Sequence, residues 1–118
     1  MQPEIFIVAP RRTAVAYGSF LKGYGYYVSA ATTISETYSL LSKGMRPATF
    51  ILDLKPAELG ELLPVLRAVG GERFRIIVIG GDGAEASLTL KHGADLFLHK
   101  PIQPEGVLDA LQSLPVAS

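Results

Sequence analysis

Short, nearly continuous apolar runs alternate along this chain with longer stretches in which apolar residues recur every three or four positions. Ile5 to Val8, Thr49 to Leu52 and Phe74 to Ile79 read as strands covered on both faces, because their hydrophobicity is unbroken rather than alternating. Tyr26 to Ala30 and Asp95 to Leu98 read as shorter strands. Between the runs, Ala14, Tyr17, Leu21 and Tyr24 predict the buried face of a helix over Thr13 to Tyr24. Thr33-Ile34-Ser35-Glu36 carries capping-box chemistry and opens a helix with Ile34, Tyr38 and Leu41 inward, stopping near Gly44. Leu59, Leu62, Leu63 and Leu66 predict a helix after Pro56, and Pro64 within it predicts a kink or a late start. Gly80-Gly81-Asp82-Gly83 reads as a loop with Asp82 capping a helix from Ala84 to Lys91, although such a loop can also cradle an anion. Pro104 opens a last helix burying Val107, Leu108, Leu111 and Leu114.

Strand and helix thus alternate five times, the signature of an α/β fold with a parallel sheet, helices on both faces and right-handed crossovers. The 118 residues fit a single domain, 1–118, with Pro115 to Ser118 a frayed tail or the cut end of a longer protein. Cysteine is absent, which excludes disulfides, thiol nucleophiles and zinc–thiolate sites. Eleven basic residues balance eleven acidic ones, so there is no electrostatic footprint for nucleic acid. No signal peptide or membrane span is evident, and a cytoplasmic location is expected. Charged residues make up only 19%, below the roughly 25% of a typical soluble domain, so an exposed apolar patch is expected. Tyr17 and Tyr24 fit the buried face of the first helix, whereas Phe20 and Tyr27 fit it poorly and are candidates for that patch.

In such a sheet, ligands bind in the crevice beyond the strand C-termini. The chain delivers Asp53 there after Phe50-Ile51-Leu52, Lys100-Pro101 after Leu96-Phe97-Leu98, and Ala9-Pro10-Arg11-Arg12 after the first strand. One carboxylate and one ammonium are expected to meet, with no evident second carboxylate to help hold a metal. That combination suggests a phosphoryl-acceptor site lacking part of its machinery; the other reading is that Asp53 is a structural strand-end carboxylate paired with Lys100. His92 and His99 have no partners that would make a metal site.

Three segments resemble the receiver domain of two-component response regulators, over nearly the whole chain. Gly25-Tyr26-Tyr27-Val28-Ser29-Ala30-Ala31 is similar to the passage into the second strand. Arg46-Pro47-Ala48-Thr49-Phe50-Ile51-Leu52-Asp53-Leu54 is similar to the approach to the phosphorylated aspartate. Gly93-Ala94-Asp95-Leu96-Phe97-Leu98-His99-Lys100-Pro101 is similar to the fifth strand with its Lys-Pro. The resemblance implies a flavodoxin-like (βα)5 doubly wound sheet of order 2-1-3-4-5. It further implies Asp53 as phosphoacceptor, Lys100 pairing with a phosphoryl oxygen, Phe97 as the aromatic that moves with a switch hydroxyl, and a cis Lys100-Pro101 peptide.

The chain departs from that pattern where the metal and the switch would be. The acidic pair maps onto Ala9 and Pro10, and the switch hydroxyl onto Gly80. Magnesium binding is therefore expected to be weak and no cofactor is expected. Arg11 or Arg12 is a candidate to lean over Asp53 in the metal's place. The favoured function is a degenerate, non-enzymatic receiver acting through phosphorylation-independent contacts with a protein partner or a second copy, through the region from Ala84 to Leu114. The alternative is a receiver phosphorylated on Asp53 by a histidine kinase, from the N-terminal part of a transcription regulator. A flavodoxin-like nucleotide or flavin binder rests on fold class alone.

Overall fold

The computed structural model describes residues 2–81 and 83–114, and of residues 83 and 84 the backbone alone. Strands β1 (Ile5–Val8), β2 (Val28–Ala31), β3 (Thr49–Leu52), β4 (Arg75–Gly80) and β5 (Leu96–His99) alternate with helices α1 (Arg11–Gly23), α2 (Ile34–Ser42), α3 (Pro56–Gly70), α4 (Gly83–Lys91) and α5 (Pro104–Ser113). All strands run parallel, in the order 2-1-3-4-5. This is the expected flavodoxin-like arrangement. The expected cap at Asp82 and tail from Pro115 to Ser118 lie outside the described residues.

Period-two alternation divides the core. Phe6 and Val8 of β1 point to one face, where they meet Leu41 of α2 and Leu59, Leu62, Leu63 and Leu66 of α3. Ile5 and Ile7 point to the other, against Ala14, Tyr17 and Leu21 of α1 and Val107, Leu108 and Leu111 of α5. Every residue of β1 and β3 is buried, which accounts for their unbroken apolar runs. Phe50 links the first core through edge-on contacts with Phe6 and Phe74.

Local chemistry sets the element boundaries. The Thr33 hydroxyl accepts the Glu36 amide at 3.1 Å, and the Glu36 carboxylate returns to the Thr32 hydroxyl at 3.1 Å, closing the start of α2. β2 begins two residues later than expected, because the Tyr26 amide is spent on the Leu21 carbonyl and so ends α1 rather than entering the ladder. Tyr24 is correspondingly exposed, not buried, and Phe20 rather than Tyr24 packs against the α1–α5 core. Pro64 neither delays nor interrupts α3. Its missing hydrogen bond falls opposite Gly60 on the solvent side of the helix, where water can serve the freed carbonyl.

Arg67, which the apolar pattern gave no reason to single out, fastens three segments. Its guanidinium donates to the carbonyls of Gly93 at 2.8 Å and of Gly71 and Phe74 at 2.7 Å, and it pairs with Asp95 at 2.9 Å. Asp95 in turn accepts the Ile76 amide at 2.7 Å, which sets the start of β5 beside β4. Gly93, at φ 118°, lets the chain turn directly beneath the arginine stem: a Cβ there would lie 3.0 Å from Arg67 Cγ. Arg67→Met keeps the stem but leaves three carbonyls without their donor. It is expected to cost about 2–3 kcal/mol in urea unfolding, and a loss under about 0.5 kcal/mol would contradict this role.

Candidate functional site

The C-terminal ends of β1, β3 and β5 meet in a cleft of about 300 Å³ lined by Pro10, Thr32, Asp53, Leu54, Lys55, Glu58 and Lys100. Asp53 is carried there by a backbone bond from its own amide to the Val8 carbonyl at 2.9 Å. Lys100 is carried there by the matching bond from its amide to Gly80 at 2.8 Å, followed by a cis peptide to Pro101. The two side chains form an ion pair, Nζ to Oδ1, at 2.8 Å. The Asp53 side chain is 11% exposed and that of Lys100 49%, so a shielded carboxylate leans on a half-hydrated ammonium. Such a pair contributes at most about 1 kcal/mol to stability, because water competes for the ammonium. Its larger effect is on the site's chemistry: it neutralises the aspartate.

Ala9 is buried and Pro10 exposed at the rim, and neither offers a side-chain oxygen. Among the described residues Glu58 is the other carboxylate of the cleft, and it accepts the Lys55 amide at 3.1 Å to start α3. Magnesium takes an octahedral shell of oxygens, usually including one or two carboxylates. An aspartate already paired with an ammonium, beside a glutamate holding a helix start, does not match that shell. Among the described residues no three His, Asp or Glu side chains gather as metal ligands.

The proposed replacement of the metal by arginine is corrected by the geometry. Arg11 and Arg12 are exposed, and neither pairs with Asp53. They occupy the first two positions of α1, where the helix dipole gives a cation no favourable field, and Lys100 already holds the carboxylate. Arg11 lines a separate groove between α1 and β2. Thr32, Lys55 and Glu58 are cleft residues that the sequence reading did not single out; the Glu58 signal was present as an acid three residues after the Lys55-Pro56 helix start.

Behind the ion pair, Tyr17 is buried and its hydroxyl donates to the Ile102 carbonyl at 3.0 Å. Burial pushes its phenol above the ordinary range; Asp53 adds to that and Lys100 opposes it. At the end of β4, Gly80 and Phe97 fit together by volume. The Phe97 ring is buried over the glycine, so that a Cβ at position 80 would lie only 2.7 Å from its Cζ. His99 meets the same ring edge-on at 5.0 Å. The aromatic thus stands inward, in space that a side chain at position 80 would claim.

No protein-family model matches the chain, and no curated protein does. Its structural neighbours are response-regulator receiver domains. It is similar to a response regulator signal receiver domain from Bermanella marisrubri, with 26% identity, TM-score 0.80, and coverage of 96% of this chain and 98% of that one. A response regulator from Burkholderia pseudomallei, solved with a phosphorylated aspartic acid, calcium ion and citrate, is 26% identical at TM-score 0.79, covering 96% of this chain and 68% of that one. The beryllofluoride-activated NtrC4 receiver domain dimer shares the fold at 21% identity and TM-score 0.79, with 92% of each chain covered.

Gly80→Ala is expected to destabilise the fold by about 1–3 kcal/mol through overpacking against Phe97. In a Phe97→Ala background the same change is expected to cost little, so that a double-mutant cycle in urea gives a clear coupling. Additive losses would mean that the ring does not occupy the space above Gly80.

Proposed function

We propose that this chain is a degenerate receiver module that signals through protein contacts without phosphorylation of Asp53. The observation that carries the reading is the charge content of the strand-end cleft: Asp53 faces an ammonium at 2.8 Å, while Ala9 and Pro10 bring no carboxylate. Phosphoryl transfer depends on neutralising the charge of the moving group, which in this class of site falls to a metal ion. A cleft whose one aspartate is already paired with an ammonium gives such an ion little purchase, so magnesium binds weakly and no other cofactor is required. The inward Phe97 over Gly80 supports the same view, because no hydroxyl is there to couple the ring to events at Asp53.

The chain is then not an enzyme but a cytoplasmic interaction module. Its partner face lies within the region from Ala84 to Leu114, where Leu88 and Leu90 of α4 are 54% and 46% exposed. The partner is a second protein or a second copy; the existence of an NtrC4 receiver dimer on the same fold supports the latter form. A second reading, phosphorylation of Asp53 by a histidine kinase, is favoured by the retained Asp53–Lys100 pair and by the phosphorylated aspartic acid in the Burkholderia pseudomallei neighbour.

Incubation with Mg²⁺ and a small acyl phosphate, followed by intact mass measurement, separates the two. No phosphoryl adduct is expected on this chain. A labile adduct that forms readily and disappears in Asp53→Asn would establish the second reading instead.

A further inference from the structure

One of the two edges of the sheet leaves backbone groups facing outward. β2 is the edge strand, and its ladder to β1 uses every second residue: the Tyr27 carbonyl accepts from Ile5 and the Ala31 carbonyl from Ala9. Val28 and Ala30, one residue out of step, therefore turn their amides and carbonyls away from β1 toward the open side. Edge strands are commonly protected by shortness, proline, inward charges or a bulge, and Val28–Ala31, though only four residues long, has no proline, charge or bulge.

Concavities flank this edge on both faces of the sheet. One, of about 360 Å³, lies between α1 and β2 over Ala14, Val15 and Gly18. The other, of about 550 Å³, lies beside Leu40 and Met45. Ser29 lines both, so the free edge runs along the ridge between them. Side chains of an added strand alternate between the faces and would enter the two concavities in turn.

Three of the four charged residues that line the two concavities are basic. Arg11 and Lys22 stand at the two ends of the α1 groove, and Lys43 borders the other. Among the described residues none of the three pairs with a carboxylate. Glu36, the acid of the first groove, is held by Thr32 and Thr33. Arg11 and Lys22 are eleven residues apart on α1, roughly 16 Å along its axis, which an extended chain covers in about five residues. A second copy fits this pattern poorly. Two β2 edges joined by a twofold axis would place the α1 helices antiparallel on one face, bringing Arg11 of each copy toward Lys22 of the other.

We propose that the β2 edge binds an extended peptide segment of a partner protein by strand addition, with an apolar centre and an acidic residue at each end. Val28 and Ala30 supply the backbone bonds, and Arg11 and Lys22 fix the register. The proposal does not rest on the state of Asp53, and its test contains neither magnesium nor a phosphodonor.

The probe is a fluorescein-labelled peptide, Thr-Glu-Val-Val-Val-Glu-Thr, followed by anisotropy and by amide hydrogen exchange of the full chain. Saturable binding is expected, with slowed exchange at Val28 and Ala30. The double variant Arg11→Glu, Lys22→Glu alters exposed side chains and is expected to weaken binding by about tenfold or more while favouring a peptide with lysine in place of glutamate. A peptide with its last two valines replaced by proline is expected to fail, because one of the two must lose a ladder bond. Absence of binding, or binding without protection of Val28 and Ala30, would overturn the proposal. So would sedimentation showing a peptide-free dimer that protects these amides, which would assign the edge to a second copy.

Discussion

The ion pair between Asp53 and Lys100 is the interaction on which the functional account turns. Both residues are delivered to the same cleft by the parallel ladder, one from the end of β3 and the other from the end of β5. Their meeting cancels the one aspartate charge of the site. With Ala9 and Pro10 at the end of β1, nothing among the described residues restores a negative surplus, and Glu58 is engaged in starting α3. A cleft of this kind is electrically close to neutral before any ligand arrives. The proposed function rests on this neutrality, because holding a divalent cation and moving a phosphoryl group both call for negative charge at the site.

Volume reinforces charge. Gly80 leaves room for the Phe97 ring, and the ring closes over it into the core that α3 shares with the sheet. A ring held by packing can still move, but only if something displaces it, and the cleft has no side chain at position 80 to do so. The fold is shaped like that of its receiver neighbours, and on the reading proposed above two couplings, metal to aspartate and hydroxyl to ring, lack a member. What the chain retains is surface: exposed leucines on α4, and an uncovered sheet edge beside α1 ringed by Arg11, Lys22 and Lys43.

Much of this was legible in the sequence because buried parallel strands write themselves as unbroken apolar runs. Ile5–Val8 and Thr49–Leu52 coincide with their runs residue for residue. Since the runs fix where the strands end, they also fix which residues enter the crevice, and Asp53 and Lys100 were found that way. The losses came where local chemistry outvoted pattern. Tyr24 has the spacing of a buried helical residue, yet the turn held by the Tyr26 amide leaves it outside. Pro64 looks like a breaker, yet its lost bond faces water. The direction of an exposed, unpaired arginine has no sequence signal, so Arg11 and Arg12 could be placed near Asp53 on paper but not over it. Residue volumes across two strands, as at Gly80 and Phe97, are likewise invisible until the register of β4 and β5 is known.

The most direct test of the account is the response of the cleft to magnesium. Titrating the ion while following backbone amide resonances should leave Asp53, Leu54 and Lys100 without saturable shifts at millimolar concentrations. Saturable shifts centred on those residues, reporting a carboxylate that leaves its ammonium for the metal, would contradict it.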